Sequence, residues 1–276
     1  MAITNFISTV WSENLYKELD KKYIAVSHCN RDYEGDIKNQ GSVVKICGVG
    51  KINVSNYSKN TDMSNPQALS DTYQELTIDQ AKYFNFQIDD IDKAQSSPKL
   101  MDAAMSIAAN ALAEAADKYV FNQYPFADTI LNLTEPTEDN IIPFLIEARQ
   151  KLYENNVSDS SDIVIEVSPA VASIILKAKV ALSSDNNEFL ETGCLGSIGG
   201  CKIFVSNNIA KADNVHKCLM RTTRAIAYAE QLSEIVAYRP EKRFADAIKG
   251  LHLFGANVIY PKEMVLLNIT IANNNE

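Results

Sequence analysis

A long two-stranded hairpin pattern that leads directly into one long alanine-rich helix constrains this chain more than any other feature. The hairpin pattern covers roughly residues 41–89, and the helical pattern covers residues 98–121. An isolated hairpin is only marginally stable in water, because two strands cannot bury both of their faces. A hairpin of this length is therefore expected to pack on something else, and a second copy of the chain is the simplest partner. The pattern favours an assembly protein before any catalytic motif is considered.

Apolar and polar side chains alternate along the hairpin, as expected for strands with one buried face. In the outgoing strand, residues 41–54, the apolar face consists of Val44, Ile46, Ile52 and Val54. In the return strand, residues 72–89, it consists of Leu76, Ile78, Phe84, Phe86 and Ile88. Residues 55–71 between them are rich in Ser, Asn and Asp, which predicts an exposed loop at the tip.

The helix that follows has a clear start and a clear end. Ser97 can cap it, and Pro98 occupies the first helical position, where a missing N–H has no partner to lose. Tyr124 and Pro125 mark the end of the pattern. About 24 residues at a rise of about 1.5 Å predict a rod of roughly 36 Å. The predicted apolar stripe consists of Met101, Ala104, Met105, Ala108, Ala111, Leu112, Ala115 and Tyr119.

The rest of the chain predicts a mixed α+β fold. Residues 1–40 are expected to form an arm with a short helical pattern from Thr9 to Leu19. Further helices are predicted at residues 139–155 and 168–179. Strands are predicted at residues 163–167, 201–207, 217–221, 225–230, 254–259 and 264–271, with a glycine-rich turn at residues 193–200.

Composition indicates an acidic globular protein. The chain has 276 residues, of which 46% are hydrophobic and 22% charged, so it can bury a core. Its net charge is −9 and its basic residues are scattered, which argues against a surface that adheres to nucleic acid. No signal peptide and no membrane span are expected. The five cysteines contain no C-x-x-C pattern, so free thiols in a reducing cytoplasm are expected.

No motif of the chain predicts an active site. The three histidines, His28, His216 and His252, lack the paired spacing of structural zinc sites. Residues 193–200 lack the Lys-Ser/Thr of a phosphate-binding loop and precede a strand, whereas such a loop should open a helix. No serine stands in a G-x-S-x-G elbow. We therefore expect no catalytic residue, no metal site and no cofactor.

The strongest candidate for chemistry is the acidic cluster of Asp89, Asp90 and Asp92. Closely spaced carboxylates can bind a divalent ion or transfer protons. Acidic residues before a helix also interact favourably with its dipole and then need no further role. The dipole interpretation is favoured, and a cytoplasmic metal-dependent α+β enzyme is the alternative from another functional class.

Several segments resemble the major capsid proteins of tailed bacteriophages, whose fold is usually called the Hong Kong 97 fold. NRDYEGDIKNQGSVVKI, residues 30–46, is similar to the segment leading into that family's extended loop. LTIDQAKYFNFQIDDIDKAQS, residues 76–96, resembles the return strand and its link to a long spine helix. Residues 193–208 and AYAEQLSEIVAYRPEKRFADAIKGLHLFGANVIYP, residues 227–261, resemble late parts of such proteins. The order of elements is similar over nearly the whole chain.

The resemblance implies a Hong Kong 97-like capsid fold with four parts. They are an N-terminal arm (1–40), an extended loop (41–89), a peripheral domain (90–160 and 225–276) that contains the spine helix (98–121), and an axial domain (161–224). No long charged helical segment precedes the arm, so a separate scaffolding protein is expected rather than a fused one. Some relatives cross-link Lys to Asn between subunits, but nothing in this sequence marks such a pair.

The implied function is structural rather than enzymatic. The resemblance implies a major capsid protein that assembles as hexamers and pentamers into an icosahedral head enclosing double-stranded phage DNA. Implied partners are further copies of the chain, a scaffolding protein, a portal and possible decoration proteins, with no sequence-specific DNA binding and no membrane. The implied location is the virion, after assembly in the bacterial cytoplasm. The alternative with the same fold is an encapsulin-like or other phage-derived compartment.

Contacts between subunits are expected on the apolar face of the hairpin and in the arm. The positions are Trp11, Val44, Ile46, Ile52, Leu76, Ile78, Phe84 and Phe86. A hairpin laid across a neighbour would bury this face there, and exposed strand edges could pair with other strands. Burial in the chain's own core is the alternative for any one of these residues.

Overall fold

The computed structural model of the chain describes residues 15, 18–19, 22–33, 41–49, 54, 56, 59, 62, 65, 71–89, 100–157, 162–181, 194–232, 235–242 and 244–271. Within them, the α-helices are α1 (Leu100–Phe121), α2 (Ile141–Glu154) and α3 (Pro169–Ala181). The strands are β1 (Val43–Val49), β2 (Asp71–Thr77), β3 (Gln80–Asp89), β4 (Thr129–Thr134), β5 (Ile163–Val167), β6 (Cys194–Ile198), β7 (Cys201–Val205), β8 (Lys211–Ala212), β9 (Val215–Thr222), β10 (Ile226–Leu232), β11 (Val236–Tyr238), β12 (Ala245–Val258) and β13 (Met264–Thr270). The predicted α+β class is confirmed. Among the described residues, no helix has the length and apolar character needed to cross a membrane.

The larger sheet has seven strands in the order β4-β13-β9-β5-β7-β6, with β8 paired to β9. β4 is parallel to β13 and β5 is parallel to β7, while β9 runs antiparallel to both β13 and β5. All residues of β5 are buried, including Glu166 in its otherwise apolar sequence. Helices α2 and α3 share a core with this sheet, in which Leu145, Leu152 and Ile175 lie with Ile165.

The second sheet is organised by β12, which has 14 residues. β3 pairs along one edge of β12, and β10 and β11 pair one after the other along the opposite edge. On one face of this sheet, Ile248 and Phe254 share a core with Leu112 and Phe121 of α1. The long helix therefore packs on the face of β12 that carries the even-numbered residues.

The hairpin β1–β2 covers the other face of the same sheet. Its strands are antiparallel, with Val44 opposite Leu76. These residues share a third core with Ala227, Ala229 and other residues of the second sheet. Small side chains on β10 let the hairpin approach closely, so the hairpin base is buried against its own chain.

One glycine on β12 allows the backbone of the hairpin to lie close to that strand. A Cβ atom added at Gly255 of β12 would lie 2.2 Å from the carbonyl oxygen of Thr77 and 3.0 Å from the Cα atom of Ile78. Both neighbours are backbone atoms, which cannot rotate away. The side-chain amide of Asn257 also donates to the carbonyl oxygen of Glu75 at 2.8 Å. Glycine is therefore required at this crossing.

The predicted hairpin is confirmed at its base, but the predicted return strand is wrong in its continuity. The stretch 72–89 divides at Ile78 and Asp79 into β2, which stays in the hairpin, and β3, which joins β12. Ile78 is buried in the hairpin core. Asp79 instead accepts a hydrogen bond from the hydroxyl of Tyr119 on α1, at 2.8 Å. The alternation continues across this break, so the pattern alone concealed it.

Helix α1 ends where the sequence predicted, but its buried face is rotated. The most buried side chains are those of Ala109, Ala113, Ala116 and Val120, in addition to the predicted Leu112. Alanines surround this helix on several sides, and an alanine fits either a buried or an exposed position, so they cannot define the stripe. The cap predicted at residues 97–98 lies outside the described residues.

In the predicted stripe, Ala111 is exposed. Met105 and Tyr119 pack at the margin of the core as partly buried residues. The predicted apolar stripe is therefore wrong, because the buried face of α1 is rotated about the helix axis relative to it.

The remaining predicted elements are mostly confirmed. The helices α2 and α3 and the strands β5, β7, β9, β10 and β13 lie close to their predicted positions. The predicted turn at residues 193–200 is wrong in extent, because it contains β6 and turns only at Gly199 and Gly200, both with positive φ. β12 begins at Ala245, well before the predicted start at residue 254.

Both larger sheets combine parts that the resemblance assigned to different domains. β4 and β13, from the expected peripheral domain, join β5, β7 and β9 of the expected axial domain in one sheet. β3, from the expected extended loop, joins β12. The four-part division of the chain stays a prediction.

We expect Gly255→Ala to destabilise the chain by about 1–3 kcal/mol, because the new methyl group overlaps the hairpin backbone. The matched control is Gly250→Ala on the same strand, where the added Cβ meets the ring of Phe84, a side chain that can move. Urea unfolding measures both. A Gly255→Ala variant as stable as the Gly250→Ala variant would show that the hairpin does not lie tightly on β12.

Candidate assembly surfaces and the anchored N-terminal segment

An N-terminal segment, residues 22–33, crosses the body of the chain and is bound by buried charged side chains; we name it the strap. The carboxylate of Asp117 on α1 accepts hydrogen bonds from the backbone N–H groups of Ile24, Ala25 and Val26, at 3.0, 3.0 and 3.1 Å. The carboxylate thereby satisfies backbone donors that have no sheet partner. Burial raises the pKa of Asp117 to about 6, although these N–H groups lower it.

Arg221 binds the same segment from β9. Its Nε and Nη2 atoms each lie 2.9 Å from a carboxylate oxygen of Glu166 on β5, forming a two-pronged pair in which both side chains are fully buried. The other guanidinium contacts join Nη1 to the carbonyl oxygen of His28 at 2.6 Å and Nη2 to that of Ala25 at 2.9 Å. Burial alone would raise the pKa of Glu166, but the interactions with Arg221 and His28 together outweigh it and hold the pKa below its ordinary value. The pair is thus satisfied by the strap itself.

Glu230 on β10 forms the third attachment. Its Oε2 atom accepts hydrogen bonds from the hydroxyls of Tyr23 and Tyr228, at 2.5 and 3.0 Å, and lies 2.8 Å from Nε2 of His252. Its Oε1 atom accepts from Arg31 at 2.6 Å. Burial would raise the pKa of Glu230, but the contacts with His252, Tyr23 and Arg31 hold the pKa below its ordinary value. Both ends of the strap are therefore bound to one buried carboxylate.

A short piece of backbone pairing completes the attachment. The N–H of Asn30 donates to the carbonyl oxygen of Ile226 at 2.9 Å, and the carbonyl oxygen of Asn30 accepts from the N–H of Tyr228 at 2.8 Å. This is an isolated bridge outside the named strands. The strap is thus joined to α1, β5, β9 and β10.

The structure places the predicted contact residues in three environments. Val44 and Ile46 are 5% and 7% exposed, and Leu76 and Ile78 are fully buried, all in the hairpin core. Phe84 and Phe86 are partly buried and pack on the opposite side of the sheet, towards the core with α1. Trp11 and Ile52 lie outside the described residues. The predicted face is therefore split between two cores, and a role of these positions between subunits stays a prediction.

A different set of apolar residues is exposed beside the hairpin. Tyr83 on β3 is 78% exposed, and Leu251 on β12 is 37% exposed. They line an open groove of about 410 Å³ together with Phe84, Asn85, Val236, Lys249 and Gly250. Phe244, just before β12, is 84% exposed. Exposed aromatic residues concentrated on one sheet are typical of a surface that binds another protein.

None of the predicted chemical candidates forms a site in the part of the chain that the structure describes. His28 lies against Glu166 and the ring of Phe204, and His252 lies against Glu230, so two histidines belong to the strap attachments. No group of three or more potential metal ligands occurs among the described residues. Asp89 ends β3, while Asp90 and Asp92 lie outside the described residues.

The cysteines with described side chains, Cys29, Cys201 and Cys218, are buried free thiols. Burial raises the pKa of Cys29 to about 11 and that of Cys218 to about 12, which keeps both thiols protonated at neutral pH.

The strap attachments were not predicted from the sequence. The partners are far apart in the chain, as Arg221 and Glu166 are 55 residues apart and Tyr23 and Glu230 are 207 apart. One signal was present, because Glu166 and Glu230 each stand inside a short apolar strand pattern. A carboxylate in such a position needs buried donors.

We expect Arg221→Met to destabilise the chain by about 3–5 kcal/mol, because it leaves the Glu166 carboxylate buried without its partner. The double variant Arg221→Met with Glu166→Leu should lose much less free energy of unfolding than the two single variants lose in sum. The reason is that neither charge is then buried alone. Urea unfolding of the four proteins measures this coupling. Additive losses would show that the two side chains do not act as a pair.

We expect Asp117→Asn to flatten the pH dependence of unfolding in mild acid. The pKa of Asp117 is raised from 3.8 to about 6 in the folded chain. Its stabilising contribution is therefore complete below the unfolded pKa and is lost as the pH rises through about 6. At about 1.4 kcal/mol per unit, this loss is on the order of 2–3 kcal/mol. Thermal unfolding at a series of pH values measures it, and equal slopes in the variant and the wild type would contradict it.

Comparison with known proteins finds similarity in structure. No family model matches the sequence, and no curated protein matches it. A structure from Mycobacterium phage Che8 is 29% identical, covers 89% of this chain and 90% of its own chain, and has a TM-score of 0.70. The capsid of cyanophage P-SCSP1u is 15% identical, covers 89% of this chain and 87% of its own, with a TM-score of 0.68.

The capsid of Ralstonia phage GP4 is 10% identical, covers 93% of this chain and 92% of its own, and has a TM-score of 0.69. The aligned regions are nearly complete in both partners, so the similarity concerns the whole architecture and not one shared motif. The resemblance to phage major capsid proteins that the sequence indicated is thus confirmed, and this chain has the fold of phage capsid proteins.

Proposed function

We propose that this chain is a structural major capsid protein that assembles into the icosahedral head enclosing the double-stranded DNA of a tailed phage. The observation that carries the proposal is the similarity to phage capsid structures over about nine tenths of both chains, with 29% identity in one of them. The proposed role is structural and not enzymatic, and this similarity supports it. The Hong Kong 97 type of the fold and its division into arm, extended loop, peripheral and axial domains belong to the same proposal.

The exposed surface of the second sheet supports assembly. Residues Tyr83 and Leu251 present apolar area to solvent in the groove, and Phe244 is exposed just before β12. A closed shell uses the same surfaces repeatedly in contacts between different patches of identical chains. Such contacts need apolar area that the single chain leaves open, together with a polar rim, which Asn85 and Lys249 supply in this groove.

The way the hairpin is attached also supports assembly. Its base is buried on β10 and β12 of its own chain, with Gly255 fixing the close approach. The strands β1 and β2, which flank residues 50–70, are therefore anchored on the second sheet at the hairpin base. We propose that residues 50–70 contact a neighbouring copy, as the resemblance implied for the extended loop.

Charge is consistent with a container for DNA. The net charge of −9 would limit tight binding between the shell wall and the genome. The proposed partners are other copies in hexamers and pentamers, a scaffolding protein, a portal and possible decoration proteins. The proposed location is the virion, after assembly in the host cytoplasm.

Assembly of the purified chain tests the function directly. We expect closed shells, rings or sheets when the chain is expressed alone or with a candidate scaffolding protein, measured by sedimentation velocity and negative-stain electron microscopy. We also expect Tyr83→Ser to reduce assembly without lowering the free energy of unfolding, because this ring is 78% exposed in the single chain. Tyr83→Phe is the matched control and should assemble like the wild type, because it keeps the ring.

A monomer under every condition would contradict the proposed function. Normal assembly of Tyr83→Ser would leave the function standing and would show that the groove is not a contact between subunits.

A further inference from the structure

The strap differs from the other described segments in how its backbone is bound. Its pairing with a strand is limited, among the described residues, to the isolated bridge between Asn30 and Ala227. The N–H groups of Ile24, Ala25 and Val26 bind a side chain, Asp117, in place of a backbone ladder. A segment outside the cooperative hydrogen-bond ladders belongs to the part of a protein that opens at low free energy.

Charged groups replace the missing ladder. Glu230 accepts hydrogen bonds from Tyr23 and Arg31, which lie at the two ends of the strap. Glu166 orients Arg221, which in turn binds the carbonyl oxygens of Ala25 and His28. Removal of the charge on either carboxylate would therefore weaken contacts to the strap, while the backbone pairing of the sheets would remain.

The apolar contribution of the strap is modest. Its buried residues in the core with α1 are Tyr23, Ala25, Val26 and Cys29, of which only Tyr23 is large, and the hydroxyl of Tyr23 binds Glu230. The larger apolar residues of the N-terminal region, Leu15 and Leu19, precede the strap. Small buried side chains lose little transfer free energy when a segment opens.

We propose that the strap opens and closes as a unit, separately from both sheets, and that the negative charges of Glu230 and Glu166 hold it closed. Leu15 and Leu19, which precede the strap, are buried in the core with α1, so opening of the strap would concern the chain that follows them. Any importance of strap opening for shell assembly rests on the proposed function, whereas the opening itself does not.

Every charged or titratable neighbour of Glu230 in the described structure favours its ionised form or donates to it. These neighbours are Tyr23 and Arg31 of the strap, Tyr228 of β10 and His252 of β12. The pKa of Glu230 lies below its ordinary value, so its contribution to closure is present above that ordinary value and is lost as the pH falls through the lowered one.

Glu166 faces Arg221 of β9 and His28 and Cys29 of the strap, with the carboxylate of Asp117 also nearby. Its pKa is likewise lowered, because the interactions with Arg221 and His28 together outweigh the effect of burial. Both groups therefore predict opening in acid. The raised pKa of Asp117 acts in the opposite direction and favours closure as the pH falls through about 6.

Hydrogen exchange measured by mass spectrometry tests the proposal on the full chain. Near pH 7, Glu230→Gln should raise exchange in peptides covering residues 22–33 by roughly tenfold or more, with peptides of β9 and β13 unchanged. The matched control is Glu263→Gln. Glu263 is also a buried carboxylate, but it is bound by Thr222 and Arg224 and contacts no strap residue in these hydrogen bonds.

Tyr23→Phe is the milder second variant, for use if Glu230→Gln does not fold, and should raise strap exchange by roughly 3- to 10-fold. In the wild type, exchange of the strap corrected for its intrinsic rate should rise as the pH falls below the ordinary pKa of a glutamate, ahead of the sheets. Unchanged strap exchange in these variants, or strap and sheets opening together, would overturn the proposal. Either result is independent of whether the chain forms shells.

Discussion

Strand β10 packs against the hairpin on one side and against the strap and the core with α1 on the other. The rest of the structure depends on these two sets of contacts. Ala227 and Ala229 point to the hairpin, while Tyr228 and Glu230 point to the strap and the core with α1. All four residues are buried. Small residues on one side allow a backbone to lie close, and polar residues on the other supply hydrogen bonds to a segment that has no ladder of its own. The strap and the hairpin base are therefore held on opposite sides of β10.

The residues that attach the hairpin to its own chain differ from the exposed residues that are proposed to contact other copies. The hairpin uses its apolar face to bind its own chain, which leaves other apolar residues, such as Tyr83 and Leu251, exposed on the second sheet. A shell protein needs a rigid body whose projecting parts start from defined positions, because the same contacts must be repeated around closed rings. Burial of the hairpin base would provide such a fixed position, while contacts between copies would form elsewhere.

Local patterns could be predicted from the sequence, and distant polar contacts could not. The run Ile163–Val167 predicted β5 because a short apolar run between turn signals fits a buried strand, and Pro125 marked the end of α1. The break at Ile78 and Asp79 was missed because alternation carries on through it. The burial of Val44 and Leu76 could be predicted from the alternation of apolar and polar residues. Their partners on the second sheet, such as Ala227, could not, because they are more than a hundred residues away in the chain.

The strap attachments illustrate the same limit. Glu166, Arg221 and Asp117 come from three different elements, so nothing near each residue in the sequence identifies its partner. Only Glu166 gave a signal, as an acidic residue within an apolar strand, which indicates that a partner exists and does not indicate which one. The resemblance to phage capsid proteins supplied the order of elements, and the physical contacts explain why that order is stable in this chain.

An electron cryomicroscopy map of particles formed by the purified chain would test the central claim most directly. We expect a closed shell in which each hairpin base lies on β10 and β12 of its own chain, with Thr77 packed over Gly255, and in which residues 50–70 touch a neighbouring copy. A hairpin base seated on a neighbour's sheet, or particles whose subunits meet without any contact from residues 50–70, would contradict the account.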